Sequence, residues 1–593
     1  MSQRLLVLYG SQTGCAHETA ERIAREGRRR YFNVQVEAMD DYNKALLPNE
    51  SLVLFVCSVT GQGEEPDNMK RFWKFLLRKN LPNDSLQKVQ FGVFGLGDSS
   101  YPKFNFPAKK LYKRLIQLGA AAIVPRGDGD DQHDLGLDGA LDPWLDQVWS
   151  VILNLYPIPI GKEMISADVL PPSSYEIMFL NANEVMDTNV TKAGEIDEHF
   201  ATVRCNTRIT SQDHFQDVRH VVFDITNSGL IYRTGDVMSI YPKNLPCDVQ
   251  LAIEYLGWTA IADLPLRLIP NRSDLRQPKE LKGILTIREL LECHLDIFGR
   301  PRRYFFELLA FFASNEQHVE KLREFASAAG QNDLYAYCHR VRRTIMEVLM
   351  DFTSVIIPVK YLFDLIPHLS PRSFSIASSL PETVHSEQPI EQPVELHLAV
   401  GIVTYQTRLK EKRHGVCTKW ISQLKENDSV RFNILPGLFR LPVSIDTPII
   451  CIGVGTGIAP IRSLLFSRLA KGATENILFL GVRGKHTDYL FGNEWDEMVA
   501  NGTLQLFTAF SRDQDHKVYI QHRIVDQGAL LWNLIDHQDA VVFLSGNAKQ
   551  MPSDVADAFR QVFRTHGKLN QADADRYMVE LEKTRRYQQE CWA

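Results

Sequence analysis

No two cysteines stand at Cys-x-x-Cys spacing. The nine cysteines, at 15, 57, 205, 247, 293, 338, 417, 451 and 591, are scattered and odd in number, which argues against a disulfide framework and against a zinc site. No metal-ligand set is expected. Long apolar runs are missing too. The opening run Arg4-Leu-Leu-Val-Leu-Tyr9 is far too short to span a bilayer and reads as a strand, and no basic-then-apolar leader precedes it, so neither a membrane anchor nor secretion is expected. Basic tracts are absent and the formal net charge is -6, which leaves nucleic acid binding without compositional support. No internal repeat or low-complexity tract appears.

What is present is length and order. A chain of 593 residues with 44% apolar composition exceeds the size at which one hydrophobic core stops growing, so two to four domains are expected. Over the first 155 residues, short apolar runs at Leu5 to Tyr9, Val34 to Val36, Leu52 to Cys57, Phe91 to Phe94 and Ala121 to Val124 alternate with amphipathic stretches. This α/β alternation predicts a parallel sheet covered on both faces. Proline and small polar residues from Tyr156-Pro-Ile-Pro to Leu170-Pro-Pro-Ser-Ser mark a linker, set at 156–197. Alternating strands then occupy 198–245 and 358–445. Between them, 246–357 has helical period, with Phe305, Leu308, Leu309 and Phe312 on one stripe. From 446 to 593 β/α alternation returns.

Three loops follow predicted strand ends in the first module, where open α/β sheets bind ligands. Ser11-Gln12-Thr13-Gly14-Cys15-Ala16 leads from strand to helix and offers hydroxyls, backbone N–H groups and the positive end of a helix dipole to a phosphate. It carries no lysine for a nucleoside triphosphate. Taken alone it is an ordinary capped turn. Ser58-Val59-Thr60-Gly61 and Leu96-Gly97-Asp98-Ser99-Ser100-Tyr101, continuing to Phe104 and Asn105, add backbone donors and the aromatic surface that an isoalloxazine ring needs. Residues 4–155 thus resemble the flavodoxin-like FMN domain of the diflavin reductases. That resemblance implies that Ser11 to Ala16 hold the FMN phosphate, that the later loops frame the ring, and that Asp131 lies beside it. Two positions depart from cytochrome P450 reductase. Cys15 stands where Thr is usual, and Thr60 replaces a ring-stacking Tyr, so an altered FMN potential and affinity are expected.

Farther on, Arg372-Ser373-Phe374-Ser375 offers a bidentate guanidinium, and Gly415-Val416-Cys417-Thr418 permits close backbone approach at a helix start. Together they resemble the FAD-binding β-barrel of the ferredoxin-NADP reductase family. The resemblance implies that Phe374 stacks on FAD, that Ser375 lies near flavin N5, and that Arg342 is a further pyrophosphate contact. Gly453-Val-Gly455-Thr456-Gly457, between a strand and a helix with Pro460 in its first turn, suits a pyrophosphate. It is not the Gly-x-Gly-x-x-Gly fingerprint, and resembles the NADP module of the same family. Ser511, Arg512 and the run Lys517-Val518-Tyr519-Ile520-Gln521 supply a hydroxyl, a guanidinium, an ammonium and a phenol, which favour the 2′-phosphate of NADPH over NADH. Asp554 and the segment around Ser545 complete the likeness. The terminal Trp592 is implied to stack on FAD, with Ser375, Ser545 and Glu590 the polar catalytic groups beside it.

The order of these modules resembles the diflavin reductases over nearly the whole chain, which implies electron flow from NADPH through FAD to FMN and then singly to a protein acceptor. Within the family the chain looks most like the soluble cytosolic reductase of iron–sulfur cluster assembly. That implies a cytoplasmic monomer and an anamorsin-type Fe–S protein as acceptor. A reductase for P450s or methionine synthase, a sulfite-reductase-type flavoprotein, and a scaffold with structural flavins remain alternatives. Seven aspartates and no lysine or arginine fall between residues 128 and 146. This segment is expected to form part of a docking face for the acceptor or the FAD domain.

Overall fold

A computed structural model describes residues 3–61, 63–101, 103–181, 199–272, 275, 277–380, 394–407 and 412–592. The chain divides into two compact units. One comprises Met1–Gly194, Cys247–Leu291 and Leu295–His368, and the other Glu195–Pro246, Glu292–His294 and Leu369–Ala593.

The first unit opens with a parallel sheet of β1 (Arg4–Gly10), β2 (Asn33–Ala38), β3 (Leu52–Ser58), β4 (Gln90–Gly97) and β5 (Ala121–Ala122) in the order β2-β1-β3-β4-β5, with β6 (Gly127–Asp130) also paired to β4. The central strands are apolar without alternation because both faces are covered. Every residue of β3 is buried. One face packs Ala16, Ala20, Ile23 and Ala24 of the helix Cys15–Arg29 with Trp144, Val148 and Ile152 of the helix Asp138–Leu155. The other packs Phe72, Leu111 and Leu115. Each fully buried Ile, Val, Leu or Phe among them contributes about 1.5–3 kcal/mol. The sixth strand, Gly-Asp-Gly-Asp in sequence, lies inside the acidic stretch and has no apolar signal to announce it.

The same unit contains the helical segment between the strands of the second unit. Phe305, Phe306, Leu308 and Leu309 are buried in its core with Leu322, Phe325 and Trp258, as the predicted stripe requires, while Phe312 packs partly buried against them. β7 (Tyr175–Phe179), inside the range assigned to the linker, pairs antiparallel with β11 (Leu266–Pro270) of this segment.

In the second unit β8 (His199–Arg208), β9 (Val218–Asp224), β10 (Val237–Ile240), β12 (Arg372–Ser375), β13 (Glu395–Gly401) and β16 (Ser429–Leu435) form an antiparallel sheet in the order β12-β10-β16-β8-β9-β13, while β14 (Thr404–Gln406) and β15 (Lys412–His414) pair separately. A second, parallel sheet holds β17 (Ile449–Val454), β18 (Asn476–Val482), β19 (Gln505–Phe510), β20 (Val541–Asn547) and β21 (Tyr587–Trp592) in the order β19-β18-β17-β20-β21. Among the described residues no helix is long and apolar enough to cross a membrane.

Candidate functional site

All three loops of the first module leave the carboxyl ends of parallel strands, so they converge on one edge of the sheet. Gly14, with φ of 92°, caps the helix Cys15–Arg29 in the left-handed region that glycine tolerates. Its N–H donates to the Ser11 hydroxyl at 3.0 Å, and the Ser11 N–H donates to Asn68 at 2.8 Å. Gln12 is tied to Asp67 by two hydrogen bonds of 2.9 and 3.0 Å. The second and third loops are stitched together where Val59 N–H donates to Leu96 O at 3.0 Å. Thr60 closes its turn onto Glu64, and Gly61 has φ of 51°. Asp131 N–H donates to Gly97 O at 2.8 Å, placing that aspartate beside the third loop.

Asn105 anchors this third loop. It is fully buried, adopts φ of 51°, and donates to Gly129 O at 3.1 Å. Gly97 must be glycine because a Cβ there would stand 2.6 Å from the Asn105 amide oxygen. That oxygen has no hydrogen-bond partner. An orphaned buried acceptor costs about 1–3 kcal/mol. Tyr101 and Phe104 are half-buried at the same loop, with the Lys109 ammonium 5.2 Å from the Phe104 ring.

The acidic stretch is less free than its composition suggests. Asp138 and Asp142 both pair with Arg22, and Asp142 also receives Arg303 and Gln331 at 2.6 Å each. Asp142 is held by three donors and Asp138 by Arg22, so both carboxylates are engaged within the first unit. Asp131, Asp134 and Asp146 are exposed.

In the antiparallel sheet, β12 is the edge strand and pairs Ser375 with Val237. Arg372 and Ser373 are exposed, while Phe374 packs partly into the barrel core. Gly415 caps the helix Val416–Gln423. Thr418 turns its hydroxyl inward, accepting from Val403 N–H at 3.0 Å and donating to Gly415 O at 3.3 Å. Cys417 faces the barrel core, and burial pushes its thiol up to about 12. This quartet therefore offers a ligand its backbone rather than the Cys417 and Thr418 side chains. Arg342 belongs to the other compact unit, exposed in a turn with φ of 53°.

The parallel sheet reverses its strand order between β17 and β20, which opens a crevice at their carboxyl ends. The glycine loop lies there. Gly455 has φ of 57°, and a Cβ on Gly457 would stand 2.2 Å from Ser545 O, so the loop and the end of β20 touch through bare backbone. Thr456 is half-buried at the loop's apex. Ser545 is fully buried with its hydroxyl unpartnered. In the ladder it stands beside Glu590, as Asn547 stands beside Trp592. From β21 the Glu590 carboxylate reaches back to accept the Ser375 hydroxyl. Burial raises the Glu590 pKa, opposed by the Ser375 hydrogen bond and by the Arg440 charge. Its second oxygen is buried, and a Leu438 main-chain hydrogen bond also steadies the carboxylate. Ser375 and Glu590 thus touch, Ser545 lies on the strand neighbouring Glu590, and Trp592, 38% exposed, follows two residues later.

At the far side of the crevice Ser511 N–H donates to Val482 O at 3.0 Å and Arg512 N–H to Arg483 O at 2.8 Å. Tyr519, 41% exposed, caps the helix Ile520–Asp526. Lys517 is exposed, whereas Val518 is partly and Ile520 fully packed into the module's core. Gln521 donates to Asp554 at 3.2 Å, and Gln550 donates to the other Asp554 oxygen at 2.9 Å.

Two groups of residues escape motif reading. Arg483 joins the basic end of β18 and β19. A lone arginine directly after a strand at the ligand edge was the available signal. The helix Ile458–Ala470, which follows the glycine loop, is fastened to the segment beyond β12. Arg462 donates to Ala377 O at 2.8 Å, and Ser463 donates to Ser378 O at 2.7 Å. Arg462 is only 7% exposed and is held by a two-point ion pair with Glu494 at 2.6 and 2.7 Å.

Three family models match the chain. The Flavodoxin model matches residues 7–144, the FAD binding domain model 195–420, and the Oxidoreductase NAD-binding domain model 451–557. NADPH-dependent diflavin oxidoreductase 1 of Xenopus laevis is 43% identical, with all of both chains covered. The protein of that name from Danio rerio is 45% identical over 99% of each chain. The chain belongs to the NADPH-dependent diflavin oxidoreductases. Arabidopsis thaliana has a relative of the same name at 36% identity, covering all of this chain and 99% of its own. As a diflavin oxidoreductase, the protein is an NADPH-dependent electron-transfer enzyme that uses FAD and FMN.

Proposed function

We propose that Ser11–Ala16 hold the FMN phosphate, with Ser58–Gly61, Leu96–Asn105 and Asp131 around the ring. Arg372–Ser375 and the backbone of Gly415–Thr418 hold FAD. Thr456, Ser511, Arg512, Lys517–Gln521 and Asp554 hold NADPH, with Val518 and Ile520 contributing main chain. The working modules are 1–155, the barrel of 198–245 and 358–445, the helical insert 246–357 and the nucleotide module 446–593, joined by 156–197. Bound FAD and FMN supply the conversion of a hydride into single electrons.

The Ser375–Glu590 hydrogen bond, with Ser545 on the strand neighbouring Glu590, is the observation that carries this reading. Glu590 accepts from Ser375 Oγ, and a carboxyl whose pKa is raised by burial exchanges a proton nearer to neutral pH than a free one does. Trp592, two residues after Glu590 on the same strand, stacks on the FAD ring. The Gly455–Gly457 loop orients the dinucleotide, and the Arg462 and Ser463 contacts fix its helix against the strand bearing Ser375.

The acceptor is an anamorsin-type Fe–S protein in the cytoplasm. Family resemblance supports this, together with exposed Asp131 and Asp134 beside the FMN loops, which suit electrostatic docking of a basic patch. Comparing NADPH-driven reduction of such a protein with that of a haem acceptor tests it. Fast turnover of the Fe–S protein, weakened by salt, is expected. Faster turnover of the haem protein contradicts the acceptor assignment.

A further inference from the structure

Arg302, in the helical insert, lies nearly three hundred residues after the phosphate loop in sequence, yet its guanidinium touches that loop. Nη2 donates to Cys15 Sγ at 3.5 Å and Nη1 pairs with Glu18. Both partners belong to the first turn of the helix Cys15–Arg29. We propose that Arg302 is a binding residue for the FMN phosphate, reaching across from the insert to complete a loop of the first module. This rests on the reading of Ser11–Ala16 as the phosphate loop.

Three features carry the inference. A thiol is a weak hydrogen-bond donor where a hydroxyl would be a strong one. The loop's first helical side chain, Cys15, is therefore a poor anion ligand, and the cation sits against that sulfur. Glu18 places a negative charge one turn from the phosphate, and its ion pair with Arg302 removes the repulsion. Finally, the guanidinium has five N–H donors, while its hydrogen-bonding partners among the described residues are Cys15 and Glu18. Donors remain for an anion at the helix N-terminus.

The insert is held against the first module by further contacts. Arg303 reaches Asp142 at 2.6 Å, Arg25 lies 3.6 Å over the Tyr304 ring, and Arg272 pairs with Glu21 at 3.7 Å. These contacts hold Arg302 in place, so FMN binding and seating of the module on the insert favour each other.

Full-length protein depleted of flavin, titrated with FMN and with riboflavin, tests this directly because riboflavin lacks the phosphate. Arg302→Gln is expected to weaken FMN about tenfold, as loss of a charged hydrogen bond does, with riboflavin affinity unchanged. Arg302→Lys should recover part of the loss, and Cys15→Thr in the Arg302→Gln background should recover part by restoring a hydroxyl. Equal weakening of both flavins, or of neither, overturns the role of Arg302. Ser11→Ala serves as the loop control. If it weakens FMN selectively and Arg302→Gln does not, only the Arg302 role is lost. If neither variant is phosphate-selective, the phosphate-loop reading falls as well.

Discussion

Ser375 donates its hydroxyl to the Glu590 carboxylate. The bond joins the edge strand of the antiparallel sheet to the last strand of the parallel one, two hundred and fifteen residues apart. Glu590→Gln should lower the rate of flavin reduction by NADPH about a hundredfold, within the usual range for general acid–base groups. Ser375→Ala should lose less, because the carboxylate remains. Stopped-flow absorbance reads both.

The raised pKa of Glu590 also has a thermal signature. Its folded-state value lies above the unfolded one, so at intermediate pH the native state binds more protons and stability falls as pH rises through the folded pKa. Glu590→Gln should thus unfold at a higher temperature than the parent at pH 8. The two should converge as pH drops below about 4, where glutamate is protonated in either state. A variant less stable at pH 8 contradicts the burial cost.

Arg462 offers a test of how the nucleotide module is fastened. Arg462→Met leaves Glu494 without its partner and should cost about 3 kcal/mol, as breaking a buried pair does. Arg462→Met with Glu494→Leu should cost less than the single change. Denaturant unfolding followed by the fluorescence of Trp495, buried beside Glu494, checks both.

Coenzyme choice is predicted to depend on exposed cations. Arg512→Ala and Lys517→Ala should each reduce kcat/KM for NADPH about tenfold or more, with NADH little changed. A parallel fall for both coenzymes would show that these residues do not read the 2′-phosphate.

Two aspartates from one acidic stretch should behave differently. Asp134→Lys, at an exposed position, should slow acceptor reduction and flatten its salt dependence. Asp142→Lys should instead destabilise the first unit, because it opposes Arg22 and Arg303 with a like charge. Acceptor kinetics against ionic strength, with melting curves, separate the two.

Much of this was legible before any coordinates. Strand–loop–helix order placed the three loops of the first module at one sheet edge, since parallel strands bring their carboxyl ends together, and Phe305, Leu308 and Leu309 announced a buried helical face by spacing alone. What escaped was contact at long range. Nothing local to Arg302, Arg462 or Glu494 marks them, because an arginine's partner is set by folding. Nor did local pattern reveal β6, whose Gly-Asp-Gly-Asp segment is a strand only through pairing with β4. Cys417 and Ile520 lie in ligand-like runs but face inward, since neighbouring residues in a run point in different directions.

Anaerobic stopped-flow with NADPH, on the parent and on an FMN-depleted Ser11→Ala or Arg302→Gln variant, tests the electron path most directly. The path predicts equal FAD and FMN in the parent, bleaching of both by NADPH but not NADH, and onward reduction of an Fe–S acceptor. Without FMN, FAD should still bleach while acceptor reduction stops. Acceptor reduction that persists without FMN contradicts the path.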